Sequence, residues 1–261
     1  MRDGVYRYNE ERWQALVAAD ALFTRPMLDL DQHSARAYLG LERLGLPGDV
    51  AGAEVLCLAS GGGQQSAAFA LLGADVTVFD ISSGQLERDR QAADHYDVAV
   101  RTVQGDMRDL SALGGSAFDL VWHPYSLTFV PDARVVFREV AGVVAEGGHY
   151  YLMCANPFYS GLTHHAWNGA GYPLDQPYTD GAETSYPDQD WVYEREPGGR
   201  TVQRPREYRQ TLSRIVNSLV AEGFTLRFLA EVDDGDAEAE PGSWHHFMAV
   251  APPWLEFVWR R

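Results

Sequence analysis

The sequence contains no lysine, since its 21 strongly basic residues are all arginine. This absence excludes a lysine Schiff base and the phosphate-binding lysine of a P-loop. Acidic residues number 37, and the resulting net charge of −16 repels a phosphate backbone. We therefore expect no nucleic-acid partner.

Cysteine is scarce and long apolar runs are missing. Cys57 and Cys154 lie in apolar runs typical of buried strands, which predicts two free thiols in a reducing compartment. There is no run of about 20 apolar residues, so no membrane span is predicted. The first residues are too polar for a secretory signal, and we expect a cytoplasmic protein. His, Cys, Asp and Glu show no metal-ligand spacing, so no metal site is predicted.

Short apolar runs alternate with helical segments over the first half of the chain. Five such runs lie at 53–60, 75–82, 99–106, 117–124 and 149–156. Runs that are apolar on both faces are typical of parallel strands covered by helices. A helix at 205–224 and two further strands at 225–232 and 244–252 follow. The pattern predicts an α/β fold with seven strands, whose ligand binds at the carboxyl ends of the strands.

The chain divides into four segments. A helical N-terminal segment (1–48) precedes the alternating core (49–156), a cap insertion (157–205) follows, and residues 206–261 complete the sheet. The density of aromatic residues in the cap argues for order, because disordered segments have few. We expect it to cover the substrate, the alternative being a cap that packs only on itself. Its aromatic residues include Tyr159, Trp167, Tyr172, Tyr178, Tyr186, Trp191 and Tyr193.

Three features follow the first three strands. Glycines at 61–63 lead into a helix, which lets a ligand approach the backbone and offers N–H groups to an anion. Asp80 ends the second strand, where a carboxylate can accept hydrogen bonds from a ribose diol. After the third strand, Asp106 can accept from an adenine amino group and Met107 can cover the base. Each feature alone is also typical of an ordinary turn or cap, but together they predict an adenosine site.

Around these residues the sequence resembles the class I S-adenosylmethionine-dependent methyltransferases, chiefly their small-molecule branch. The resemblance covers residues 50–155 and 205–252. It implies a Rossmann-like, mostly parallel sheet of seven strands with the last strand antiparallel, and S-adenosyl-L-methionine as cofactor. The cofactor contacts that it implies are Ala59, Ser60, Gly61, Gly63, Asp80, Ile81, Gln85, Asp106, Met107 and His123.

Two positions depart from the family pattern. Cys57 stands where the family usually has an acid that helps to hold the methionine ammonium group, and Ala59 replaces a glycine. A charge-assisted hydrogen bond contributes about 1.5–3 kcal/mol. Ser60, a backbone carbonyl or an N-terminal residue is the candidate substitute. The N-terminal segment is also expected to close over the cofactor through Tyr8 and Trp13.

Methyl transfer from a sulfonium is an in-line displacement, so the protein mainly aligns the reactants and excludes water. A general base is needed only when the acceptor must lose a proton. His123 is the candidate for that base, or for a contact to cofactor or substrate. The candidate substrate contacts are Tyr125, Tyr159, His164 and Trp167.

We therefore predict a methyltransferase that acts on a small molecule, and three alternatives stay open. An RNA or protein methyltransferase usually has a basic surface or an Asn-Pro-Pro-Tyr motif, whereas this chain has His-Pro-Tyr-Ser at 123–126. The missing acid at Cys57 favours a protein that binds S-adenosylmethionine without turnover. An NAD(P)-dependent oxidoreductase would need a Tyr-xxx-Lys pair, which is absent. The acceptor, its reacting atom and the oligomeric state are left open.

Overall fold

Strands and helices alternate along the chain in this computed structural model, which describes residues 3–185, 202–232 and 234–261. The strands are β1 (Glu54–Leu58), β2 (Asp75–Asp80), β3 (Val100–Gln104), β4 (Phe118–Pro124), β5 (Val144–Ala155), β6 (Glu183–Thr184), β7 (Glu207–Tyr208), β8 (Thr225–Glu231) and β9 (Trp254–Arg260). The α-helices are α1 (Gly4–Ala18), α2 (Gln32–Leu39), α3 (Gln65–Leu71), α4 (Ser83–Tyr96), α5 (Ala133–Val143), α6 (Leu212–Ala221) and α7 (Trp244–Val250).

Seven of the strands form one twisted sheet in the order β3-β2-β1-β4-β5-β9-β8. Strands β1 to β5 pair in parallel, and β9 runs antiparallel to both β5 and β8. This confirms the predicted mostly parallel sheet with its last strand antiparallel. The strand order reverses between β1 and β4, so a crevice opens there at the carboxyl ends of the strands.

Two apolar cores flank the sheet, one on each face. In β9, Phe257 and Trp259 enter the core formed with α5 and α6, whereas Val258 enters the core formed with α2 and α3. Neighbouring side chains on a strand point to opposite faces, so a strand covered on both sides is apolar throughout. The helices therefore lie on both faces, as the sequence pattern predicts.

The prediction of the last strand at 244–252 is wrong. That segment holds α7, and the strand follows as β9. The Ser243 side chain accepts a hydrogen bond from the His246 N–H and caps the helix, whose Phe247 and Met248 are buried. An apolar run this short fits a strand or a helix equally well, so periodicity alone does not separate them.

The predicted helix at 205–224 is also shorter than expected, because β7 precedes α6 and pairs with β6 of the cap. Residues 186–201 of the cap, with Tyr186, Trp191 and Tyr193, lie outside the described residues. Among the helices of the described ranges, none combines the length and apolar character needed to cross a bilayer.

Candidate functional site

The glycine turn (59–63) connects β1 to α3 at the rim of the crevice. Gly62 and Gly63 have φ angles of 128° and 78°, and Ala59 has a φ of 47°. Glycine adopts such positive φ angles without strain, whereas alanine rarely does. The Ala59 N–H donates to the carbonyl of Phe79 at 2.7 Å, which ties this strained residue to the end of β2.

Asp80 lies directly beneath this turn, at the end of β2. Its Oδ2 accepts the Gly61 N–H at 3.0 Å and its Oδ1 accepts the Ser82 N–H at 2.8 Å. A Cβ at Gly61 would lie 2.8 Å from the Cβ of Gln85 and 3.2 Å from that of Asp80, so only glycine fits. Burial raises the pKa of Asp80 to about 6, against the effect of its backbone donors. At neutral pH the carboxylate is mostly ionised, and each oxygen has a further lone pair for a ligand.

The other side chains predicted around Asp80 lie on the same rim. Gln85 donates through Nε2 to the Gly61 carbonyl at 3.0 Å, and its Oε1 is buried without a partner among the described residues. The Ile81 carbonyl accepts the Gln104 side chain at 3.0 Å. Ser60 is buried in the turn itself. A cradle lined by glycine, with a buried acceptor facing no partner, fits a polar ligand better than a sealed core.

Asp106 follows β3 but its carboxylate is already engaged. Nη2 of Arg108 contacts it at 2.6 Å, and Nη1 and Nη2 of the same side chain bind Asp3 at 2.9 Å each. The two carboxylates raise the pKa of Arg108, and Arg108 in turn lowers that of Asp3. Asp3 also caps α1 by accepting the Tyr6 N–H at 2.8 Å. The tip of β3 is thus tied to the start of α1, which the sequence pattern did not predict.

Met107 is buried, in the core on the α5 side. A Cβ at Gly105 would clash with the ring of Phe79, so the chain can pass from β3 to Met107 only through a glycine. The backbone of this short connection therefore lies against β2, close to the second strand tip. That proximity is what an adenosine site across β2 and β3 requires.

Asp89 is a buried acid of α4 that sequence reasoning missed. Its carboxylate accepts the N–H groups of Gly62 and Gly63, each at 3.0 Å, and the hydroxyl of Ser66 at 2.5 Å. The turn was expected to offer these N–H groups to an anionic ligand, and that expectation is wrong for these two residues. The available signal was the helical spacing, because Asp89 lies four residues after Gln85 on the buried side of α4.

His123 is completely buried, with 0% of its surface exposed. Its Nδ1 is hydrogen-bonded to the Tyr150 hydroxyl at 2.8 Å, and its Nε2 has no partner among the described residues. Burial lowers the pKa of His123 to about 3, so the imidazole is neutral at physiological pH. This geometry gives no support to the prediction that His123 is a general base, because the ring has no exposed surface and the low pKa makes it a weak proton acceptor.

Tyr125 occupies the tip of β4 and faces a cluster of aromatic rings. It has a φ of 60°, and 48% of its surface is exposed. Its ring packs edge-on against Trp254 at 5.7 Å, and Trp254 lies 5.8 Å from Trp244 of α7. Desolvation, and to a smaller degree Glu256 and Asp234, raise the pKa of Tyr125 to about 12. Its hydroxyl therefore stays protonated and is a hydrogen-bond donor.

The cap joins this aromatic cluster through α7. His164 lies edge-on to Trp244 at 5.8 Å, and Trp167 packs against Tyr172 and His246 at 5.2 Å each. Both predicted substrate residues therefore contact α7, and the rings of Trp254 and Trp244 lie between Tyr125 and His164. Tyr159 is half-buried near the start of the cap, with its N–H on the Asn156 carbonyl at 3.0 Å.

A second group of polar residues approaches the β4 tip from α2, and it too was missed. The Tyr38 hydroxyl accepts the Gln65 side chain at 3.0 Å at the start of α3. Desolvation, followed by Tyr125 and Cys57, raises the pKa of Tyr38 to about 12. Two protonated phenols, one on α2 and one after β4, therefore lie near the end of β1.

The N-terminal helix α1 lies along the rim next to β3. Gln14 donates to the Ser83 hydroxyl at 2.7 Å, where α4 begins. Tyr8 and Trp13 themselves pack elsewhere: the Tyr8 hydroxyl donates to the Arg204 carbonyl at 2.9 Å, and Trp13 lies edge-on to Phe129 at 5.9 Å. The helix thus borders the predicted cofactor site, but Tyr8 contacts the cap and Trp13 contacts the segment that follows β4.

Comparison with known proteins finds a family model that matches the central segment. Residues 56–152 match the model of a methyltransferase domain. The chain is 42% identical over 108 residues to an uncharacterized methyltransferase of Bacillus subtilis, covering 41% of this chain and 42% of that protein. It is 33% identical over 108 residues to a ubiquinone biosynthesis O-methyltransferase of Xanthomonas oryzae, covering 41% and 45%. The matches therefore span less than half the length of these relatives.

Solved structures agree on the fold over most of the chain. An S-adenosylmethionine-dependent methyltransferase from Mesorhizobium loti superposes with a TM-score of 0.65 at 24% identity, covering 88% of this chain and all of that one (100%). A magnesium protoporphyrin IX methyltransferase from Synechocystis, with bound S-adenosylhomocysteine, gives 0.54 at 16% identity, covering 97% and 85%. At these identities the likeness shows the fold alone.

Proposed function

We propose that this chain, whose residues 56–152 match a methyltransferase domain, is a class I S-adenosylmethionine-dependent methyltransferase that transfers the methyl group to a small molecule. The observation that carries the proposal is the glycine turn seated on Asp80. There the Gly61 N–H and the Asp80 carboxylate meet at 3.0 Å on the crevice where such a cofactor binds.

The residues at the rim fit this cofactor. Asp80 would accept hydrogen bonds from the ribose hydroxyls, and the free Oε1 of Gln85 would accept a further donor. Asp106 would reach the adenine amino group only by sharing its carboxylate with Arg108. The methionine part of the cofactor would lie along Ala59, Ser60, Gly61 and Gly63. The adenine base would lie against Ile81 and Met107. When bound, S-adenosylmethionine supplies an electrophilic methyl group on a cationic sulfur.

The side chains at the β4 tip would align the methyl acceptor with the cofactor. Tyr125 presents a protonated phenol and an exposed ring face, and Trp254 supports it at 5.7 Å. A wall of this kind orients a flat or apolar acceptor and excludes water from the reacting atoms. His123 takes no part as a base in this proposal, because its ring is buried and its low pKa makes it a weak proton acceptor.

The small-molecule acceptor is supported by two further features. One relative is named a ubiquinone biosynthesis O-methyltransferase, and one protein of the same fold is named a magnesium protoporphyrin IX methyltransferase. The net charge of −16 disfavours RNA, for which a basic surface is the usual requirement. The exposed aromatic residues of the cluster beside the β4 tip, Tyr125 and Trp244, favour an acceptor with a ring or another apolar face.

A ligand screen tests the proposal. The thermal midpoint of the full chain is measured with S-adenosylmethionine, S-adenosylhomocysteine and NADPH. A ligand at about 100 times its dissociation constant stabilises the fold by about 2.7 kcal/mol. We expect both adenosyl compounds to raise the midpoint and NADPH to leave it unchanged. If NADPH alone raises the thermal midpoint, the proposed methyl transfer is wrong and hydride transfer becomes the better proposal.

A further inference from the structure

We propose that Asp89 is the positioning residue of the glycine turn: from α4 it fixes Gly62 and Gly63, and thereby seats Gly61 on Asp80. The inference rests on the proposed function only in naming the ligand whose affinity Asp89 sets. The contacts themselves belong to this chain.

The carboxylate of Asp89 binds the turn with both oxygens. Oδ2 accepts the Gly62 N–H at 3.0 Å, and Oδ1 accepts the Gly63 N–H at 3.0 Å and the Ser66 hydroxyl at 2.5 Å. Gly62 and Asp89 are 27 residues apart in the chain, so these bonds join α4 to the turn and to the first turn of α3. Three donors converging on one buried carboxylate fix the backbone more firmly than a single cap.

The turn has little freedom once these bonds form. Gly62 and Gly63 both have positive φ angles, and a Cβ on Gly63 would lie 2.6 Å from the Arg88 carbonyl and 2.9 Å from the Cβ of Ala92. The backbone at Gly63 therefore lies directly against α4. Asp89 supplies the polar contacts on this helix face that such a close approach needs.

The connection to the ligand site is one residue away. Gly61 precedes the two glycines held by Asp89, its N–H binds Asp80 at 3.0 Å, and its carbonyl binds Gln85 at 3.0 Å. A shift of Gly62 would move Gly61 relative to both side chains. Asp89 itself has 0% of its surface exposed, so it acts on a bound ligand through the turn and not by contact.

Asp89 also relates to the departure at Cys57. The thiol of Cys57 has a raised pKa, mainly through burial and next through the nearby Asp89. A carboxylate is therefore present close to this end of β1, although it is supplied by α4 and not by the strand.

The test compares three variants of the full chain. D89N keeps the shape but turns one acceptor oxygen into a donor, which then faces an N–H of the turn. S66A removes one of the three bonds, and E87Q removes a charge from the exposed side of α4, in an ion pair with Arg90. Calorimetry gives the dissociation constant of S-adenosylhomocysteine, and amide NMR gives the resonances of Gly62 and Gly63.

We expect the dissociation constant to rise about tenfold in D89N, about threefold in S66A and not at all in E87Q. The amide resonances of Gly62 and Gly63 should move upfield in D89N, because a hydrogen bond to a carboxylate is lost. If D89N does not fold, S66A with the same two measurements decides. Unmoved amide resonances, or an affinity within twofold of the wild type in D89N and S66A, would overturn the proposal.

The two proposals fail in different ways. If the wild-type chain shows no affinity for S-adenosylhomocysteine, the proposed function is wrong. The glycine amide resonances then still test whether Asp89 positions the turn, since they are measured without ligand.

Discussion

Replacement of Asp80 by alanine tests the ribose contact. In the structure this carboxylate accepts one backbone N–H on each oxygen and has lone pairs left for two hydroxyls. Hydrogen bonds to a charged group contribute about 1.5–3 kcal/mol each. Loss of two such bonds therefore costs about 3 kcal/mol or more, and 1.4 kcal/mol corresponds to about tenfold in affinity. We expect D80A to bind S-adenosylhomocysteine at least about 100-fold more weakly.

The variant should stay folded, because the buried charge is itself costly. Burial raises the pKa of Asp80 from 3.8 to about 6, which corresponds to about 3 kcal/mol against the ionised form at pH 8. Removing the charge recovers part of this cost and offsets the lost bonds to Gly61 and Ser82. Calorimetric titration at pH 8 measures the affinity, and circular dichroism confirms the fold.

Asp75, at the exposed start of the same strand, supplies the matched control. D75N removes one negative charge from β2 at the end remote from the crevice, and we expect its affinity to equal that of the wild type. D80A binding within threefold of the wild type would refute the assignment of Asp80 to the ribose.

Three further predictions follow from the same contacts. Burial raises the pKa of Asp89 to about 7, so the free energy of unfolding of the wild type falls as pH rises from about 4 to 7. D89N lacks this fall, so the free energy of unfolding of D89N minus that of the wild type should increase by about 3 kcal/mol between pH 5 and 8 in calorimetric unfolding. A difference that shrinks over this range would contradict it. D3A removes the cap of α1 and the Arg108 ion pair, and hydrogen exchange of α1 should report a loss of about 1 kcal/mol, with no change in α5. H123Q should keep its rate of methyl transfer within about tenfold, whereas loss of a true base would cost about 10²–10⁴-fold.

Strands buried on both faces were predictable from the sequence. A continuous apolar run between helices, such as the one around Val55, is typical of a buried parallel strand. The ends of these runs then predicted where β1, β2 and β3 end. The same reasoning failed at α7, since seven residues hold Trp244, Phe247 and Met248 in a pattern that suits either element. There the capping serine at 243 was the decisive local signal.

The sequence pattern did not predict which side chains contact each other. Asp106 was placed correctly after β3, yet its ion pair with Arg108 and the link to Asp3 depend on how α1 packs 105 residues away in sequence. His123 was predicted at the strand tip, but which of two strand faces its ring enters is a matter of tertiary packing. Asp89 was overlooked because an acid in a polar helix is normally exposed.

The location of the adenosyl ligand is the central claim, and an NMR titration tests it directly. S-adenosylhomocysteine is added to the isotopically labelled chain while the amide resonances are followed. We predict saturable shifts at Gly61, Ser82 and Gly105, which border the tips of β1, β2 and β3. A folded chain in which these three resonances do not move, or in which binding shifts only residues elsewhere, would contradict the account.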